Sequence, residues 1–514
     1  MSQYFTSKHN SFFCSKSTFI FTICLSVLLL LQGCAIKPQP ISQAEHEERV
    51  ASDRQQLYVN QEPIQGPLTL EEAIARALKY NYDHRLALME SVFQDKQLTS
   101  ANLAMLPKLA ANAGYSNRDN DAASSSISYE TRKETLEPSL SSEREKRSFD
   151  LTLTWTMLDF GLSYFQANQQ ADRLLIMQER KRRVVNNIVK EVIAAYWKVL
   201  SADKLLPIVE QSIADSEKAL KAYSTIQEQN LDSPLETLQH HRDLLNIISH
   251  LRRIQADLKM SRIRLAALIN CPLQTSFTLA EPDKEMLTPP PLSVSLEEME
   301  NKGLAFRPDL REEAYQERID KTEVHKEIVR MLPGVSVFTG YNYESNKFSL
   351  HNTWAEIGAK TTMGLFNLIT GPAQIRAANT KVEVAKTRRL AQTVAALVQI
   401  NLSYYQYQEA LEEFQHAKEV SRIEKAIYNI ARNEEENQAQ SELALIRSSV
   451  DAVRAQIEQD RTLSDAYMLW GNMYFSVGGD MVPAGIEQGE LKQMTDVIHQ
   501  KIALWWQGKL PFEE

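Results

Sequence analysis

Residues 148–161 read SFDLTLTWTMLDFG. Phe149, Leu151, Leu153, Trp155 and Met157 fall on one side of an extended chain, with Asp150, Thr152, Thr154 and Thr156 on the other. Strict period-two alternation predicts a strand with one apolar face. Whatever covers that face decides the fold.

The N-terminus narrows the choice. Basic residues precede the apolar run FIFTICLSVLLLL, Phe19 to Leu31, which is too short to cross a bilayer but suits a secretory leader. Leu31-Gln32-Gly33-Cys34 resembles a bacterial lipobox, which implies cleavage after residue 33 and acylation of Cys34. Ala35 follows where an aspartate would imply inner-membrane retention, so the resemblance implies a lipoprotein of the outer membrane. Cys14 and Cys24 leave with the leader and Cys34 carries lipid, so only Cys271 remains and a disulfide framework is excluded. No other segment has the roughly 17 to 25 apolar residues of a transmembrane helix, so any membrane-spanning part must be β. The net charge of −9 becomes −11 without the first 33 residues, whose only formal charges are Lys8 and Lys16. No basic cluster dominates, which argues against nucleic acid as a partner.

The chain is duplicated. At an offset of 226 residues, LTLEEAIARALKYNYDHR at 68–85 aligns with VSLEEMENKGLAFRPDLR at 294–311, and without a gap MLP at 105–107 meets MLP at 331–333. Thr69 with Glu72, and Ser295 with Glu298, are spaced as capping boxes that open a helix in each copy. Asp83 and Asp309 are positioned to start a second helix, which ends at Pro107 or Pro333. Beyond each proline comes a strand, a polar loop and a returning strand. The loop is long in the first copy, about 118 to 146, and short in the second, where the returning strand runs near 353–365. Each of the four strands has about 10 residues, the length of a tilted membrane β-strand. Four strands cannot close a barrel, so the barrel must be shared between chains.

Long helices follow. Val185, Ile188, Val192, Ala195, Val199, Ala202 and Leu206 recur at three and four, a coiled-coil seam, and Pro207 is expected to kink it. After NLDSP at 230–234 a return helix carries Ile247, Leu251, Ile254, Leu258, Leu265 and Leu268. The second copy repeats the plan with a helix from Pro372 to about Arg432, a turn at NEEEN, 433–437, and a return with Leu443, Ile446, Val450, Val453 and Ile457.

With LTLEEAIARAL, MLPKLAANAGYS, TWTMLDFGLSYFQANQQAD and GLFNLITGPAQIRAANTKVEVAK as its most specific carriers, the sequence from 68 to 507 resembles the outer membrane factor family, the TolC-type channels. The resemblance implies a mainly α fold with a small β part, two structural repeats and long coiled-coil hairpins forming a periplasmic tunnel. It implies a homotrimer whose protomers pool four strands each into a twelve-stranded barrel. It also implies a passive channel for efflux or type I secretion, partnered by a periplasmic adaptor and an inner-membrane transporter of the RND, ABC or MFS type. The expected division is 1–33 signal peptide, 34–67 lipidated extension, 68–270 first repeat, 271–293 linker, 294–476 second repeat and 477–514 equatorial segment. Phe149, Leu151, Leu153, Trp155 and Met157 are the expected lipid-facing strand. Asn230, Leu231, Asp232 and Ser233, and Asn433, Glu434, Glu435 and Glu436, are the expected periplasmic tips and adaptor contacts. Many family members have glycine at these turns; this chain has none, which puts a specific adaptor contact in question. Repeated three times, the glutamates make an acidic ring favouring cations, or else a solvated helix start where acids suit the dipole.

Other constellations carry less. DFG at 159–161 lacks the companion motifs of a kinase and reads as a strand-to-helix exit. His240 and His241 point to different helix faces and His250 lies nine residues on, a poor metal site. Asp119 and Asp121 suit a hydrated loop, and Trp505 and Trp506 suit packing of a C-terminal helix. No P-loop, GxSxG, HExxH or CxxC is present, so neither an enzyme nor a cofactor is expected. The rival reading is a periplasmic lipoprotein scaffold whose coiled coils bind partners and whose strands form a small soluble sheet without a pore.

Overall fold

A computed structural model describes residues 38–125, 127–134, 137–228, 234–273, 275–282, 284–436, 442–480, 486 and 489–507. The leader, Cys34 and the first tip, Asn230 to Ser233, lie outside the described residues. The chain divides into two units, Met1–Gln61 and Glu62–Glu514. Within the first, α1 (Gln43–Gln56) buries no residue, and Ser42 and Glu45 cap it reciprocally: the Ser42 amide donates to Glu45 Oε2 at 2.7 Å and the Glu45 amide to Ser42 Oγ at 3.3 Å.

The second unit holds the duplication. α2 (Leu70–Tyr80) and α6 (Leu296–Phe306) each receive a hydroxyl cap, Thr69 Oγ1 accepting from the Glu72 amide and Ser295 Oγ from the Glu298 amide, both at 3.2 Å. Glu72 does not complete a capping box; it turns to Arg76 Nε at 2.7 Å. α3 (Tyr82–Leu103) is capped one turn-position earlier than the sequence suggests, by Asn81, whose side-chain oxygen accepts from the Asp83 amide at 2.8 Å. α7 (Pro308–Arg330) opens on its proline, with Arg307 held extended before it at φ −62° and ψ 130°. Proline suits that position because its missing N–H would have had no partner there.

Strands β1 (Lys108–Asn117), β4 (Glu145–Thr156), β5 (Gly334–Glu344) and β6 (Thr353–Thr362) form one antiparallel sheet in the order β1-β4-β5-β6. The long loop between β1 and β4 contains a small hairpin of β2 (Ala123–Ser124) and β3 (Ser139–Leu140). From β4 and β6 the chain passes into α4 (Met157–Glu228) and α8 (Leu365–Glu436), each 72 residues long, or about 110 Å at 1.5 Å per residue. Their returns, α5 (Pro234–Leu268) and α9 (Glu442–Ser476), are 35 residues each. α4 continues through Pro207, and α8 begins seven residues before Pro372. Gly161, expected as the exit from the strand, already lies inside α4.

Two apolar cores follow. The larger surrounds the middle of the long helices, where α2 and α10 (Leu491–Trp506) cover α4 and α9. Trp197 stacks on Tyr467 with ring centroids 4.6 Å apart, and Trp470 packs beside Tyr407 at 4.8 Å. Burial pushes the pKa values of these tyrosines up, so their hydroxyls stay protonated and donate to backbone: Tyr467 to Met286 O at 2.6 Å and Tyr407 to Pro290 O. Segment 271–293 is thereby tied into the core. The smaller core joins Leu205, Val209 and Ile213 of α4 to Leu244, Leu251 and Leu258 of α5 and to Ile446, Val450 and Val453 of α9, absorbing the lower part of the heptad seam.

The chain leaves α9 through Gly478, in the left-handed region at φ +78°, where a Cβ would sit 2.5 Å from the Phe306 carbonyl carbon. Gly478→Ala should therefore destabilise the protein by about 2 kcal/mol, read as a lowered melting temperature of the purified protein.

Candidate channel wall and helical tip

The sheet is inside out by the standard of a soluble protein. Along β4, Phe149, Leu151, Leu153 and Trp155 are 42, 40, 40 and 39% exposed, whereas Asp150, Thr152, Thr154 and Thr156 are half-buried. Register carries the apolar face across the sheet. Leu153 lies between Leu109 and Thr339, Leu151 between Ala111 and Tyr341, and Trp155 opposite Val337, while Ile357 on β6 is 81% exposed. Met157 continues the alternation in sequence but is the first residue of α4.

The other face is bonded to itself. Asn112 Nδ2 donates to Asp150 Oδ1 at 2.8 Å, Thr156 and Ser336 hydroxyls meet at 3.1 Å, and Lys146 pairs with Glu344 at 3.0 Å. Phe338 lies over Gly358, its cross-strand partner, where a Cβ would come within 2.4 Å of the ring. These cross-strand contacts were not legible beforehand, because they depend on register, which a 27-residue separation between β1 and β4 does not set.

At the far end of the helices, Asn433 and Glu434 belong to the last turn of α8, as do the backbones of Glu435 and Glu436, whose side chains lie outside the described residues. The expected turn at 433–437 is thus displaced toward the C-terminus. The acids stand where the helix dipole disfavours negative charge, the reverse of a helix start. Higher up, His250 and Arg253 of α5 face Arg447 and Arg454 of α9 across a groove of about 360 Å³. Burial, then Arg454 and Arg253, push the His250 pKa down. Among the described residues no helix is long and apolar enough to cross a membrane.

Residues 77–270, the greater part of the first repeat, match the outer membrane efflux protein family. The chain belongs to that family. No curated protein matches it. Solved structures similar to this outer membrane efflux protein include the CmeC outer membrane channel of Campylobacter jejuni, 14% identical over 85% of this chain and 94% of that one, with a TM-score of 0.63. The open state of the MtrE outer membrane channel of Neisseria gonorrhoeae is 16% identical over 80% and 89%, with a TM-score of 0.59. The outer membrane protein VceC of Vibrio cholerae is 14% identical over 80% and 96%, with a TM-score of 0.58. At such identities the shared property is the fold, and the TolC-like architecture of helices and four strands extends over both repeats.

A sheet whose exposed face meets lipid rejects charge there. Leu153→Arg in this efflux protein should cost roughly 2 to 4 kcal/mol near the bilayer centre and abolish assembly in the outer-membrane fraction, while Thr152→Arg on the opposite face should still assemble. Normal assembly of Leu153→Arg would support a soluble scaffold.

Proposed function

We propose that the protein is a lipid-anchored, homotrimeric outer-membrane channel that passively conducts substrate delivered by an inner-membrane pump and a periplasmic adaptor. The observation that carries this is the open sheet with its apolar face outward. β1 and β6 each have one unpaired edge, and in hydrocarbon every unpaired backbone group costs several kcal/mol. Two protomers would close eight strands, whose interior is filled by side chains. Three give the smallest closed wall with room to conduct.

The helices support the same assembly. Tyr82, Leu86, Met89 and Phe93 make an exposed apolar seam on α3, and Leu390, Val394, Val398, Leu402 and Tyr405 make one on α8. Lower down, Val420, Ile423, Ile427 and Ile430 on α8 face outward, as do Leu235, Leu238 and Leu245 on α5. Each protomer thus offers α8 at one edge and α3 with α5 at the other, a head-to-tail pairing that closes as a ring.

Cys34 is the proposed acylation site. The proposed tips are 230–233 and Asn433 to Glu436, where the adaptor would dock and the glutamates, three times repeated, would favour cations at the mouth. Of the transport classes we favour efflux, on the strength of the family match; a deletion strain should gain sensitivity to exported compounds with an unchanged secretome.

In detergent the protein should have the mass of a trimer, and in planar bilayers it should conduct. A monomer without conductance would end the channel reading. Replacing Glu434, Glu435 and Glu436 together by glutamine should lower the cation-to-anion permeability ratio, measured as a shift in reversal potential under a salt gradient.

A further inference from the structure

The outward face of the sheet changes chemistry at the loop end. From Trp155 to Phe149 it is apolar, and the next residue of β4 on that face is the exposed Arg147. Arg147 pairs laterally with Tyr115 of β1, and the neighbouring pair is Phe149 with Tyr343 of β5. Positions so related are about 5 Å apart across strands and about 7 to 8 Å apart on the diagonal, within one headgroup's reach. Tyr115 and Tyr343 are 63% and 39% exposed. Other cations at this end are answered by acids: Arg144 by Asp121 at 2.6 Å, Lys146 by Glu344 at 3.0 Å and Lys347 by Glu143 at 3.2 Å. Among the described residues the Arg147 guanidinium and the two phenols have no such partner. Glu145, one step farther out on the same face, makes no ion pair with Arg147.

The height of this trio identifies what it meets. Eight residues separate Trp155 from Arg147, about 26 Å along a strand, or roughly 20 Å across a membrane at the usual tilt, close to the apolar band of an outer-membrane barrel. Arg147 therefore stands where hydrocarbon gives way to headgroups, on the side away from the helices. A guanidinium fork fits a phosphate with two parallel hydrogen bonds, and the phenols add donors for ester or sugar oxygens.

We propose that Tyr115, Arg147 and Tyr343 form a binding position for the phosphate of an outer-leaflet lipid headgroup, one per protomer. The proposal rests on the channel reading. It is tested by reconstituting wild type, Arg147→Gln, Arg147→Lys and Lys347→Gln into nanodiscs of phosphatidylcholine with phosphatidic acid, and by counting lipid retained on the released protein by native mass spectrometry. Wild type and Lys347→Gln should retain phosphatidic acid over phosphatidylcholine, Arg147→Lys less of it, and Arg147→Gln about tenfold less. Sodium phosphate at equal concentration should not displace the lipid. Equal retention by Arg147→Gln, or displacement by inorganic phosphate, would overturn the assignment. Conductance of the same samples separates the two readings: a trimer that conducts but shows no phosphate preference sinks only the lipid site, whereas a wild type that neither trimerises nor conducts sinks the channel.

Discussion

Backbone hydrogen bonding at the sheet's two edges governs the rest of the molecule. β4 and β5 are paired on both sides, but β1 and β6 leave one edge each. In water such edges are a manageable liability. With an apolar face turned outward they are not, since lipid offers backbone groups no alternative partner. Closure with other copies is then a condition of folding in the membrane, and the head-to-tail seams along the helices are the consequence of carrying that closure downward.

Each strand is continuous with one long helix, and neighbours stay neighbours. α3 leads to β1, β4 to α4, α7 to β5 and β6 to α8, and the helices pack in the same order, α3 on α4, α4 on α7, α7 on α8. A wall one helix thick has no interior. Beneath the sheet α4 and α7 accordingly join through polar contacts, with Gln169 Nε2 donating to Glu323 at 2.7 Å, Lys326 to Gln166 at 2.7 Å, and Arg318 to Asp172. Apolar cores appear only where a second layer exists, under α2 and α10 or between the helical hairpins.

How much of this was legible in the sequence follows from what each signal depends on. The strand at 149–155, the duplication and the seam from Val185 to Ala202 are local patterns, and burial obeys them. Helix ends were less legible. Asn81 outcompetes Asp83 as a cap because its side chain precedes the helix and can reach two free amides. The run NEEE extends α8 because glutamate is a good helix former and no glycine stops it. Pro372 does not mark a start, since the helix is already under way from Leu365. The polar rung of Asn112 and Asp150, and the ring of Phe338 over Gly358, needed the strand register, which no local pattern supplies.

The two repeats differ where difference is harmless and agree where it is not. From α2 to α6 the offset is 226 residues, Leu70 to Leu296, but from β4 to β6 it is 208, Glu145 to Thr353. The lost residues come from the loop between strands, beyond the apolar band, where length changes neither closure nor height and costs little. Below the sheet the lengths are equal to the residue, 72 with 72 and 35 with 35. Unequal hairpins would end at different depths, at about 1.5 Å for every residue of mismatch, and a partner docking on alternating hairpins could not meet all of them in one plane. Equal helices are what a level mouth requires.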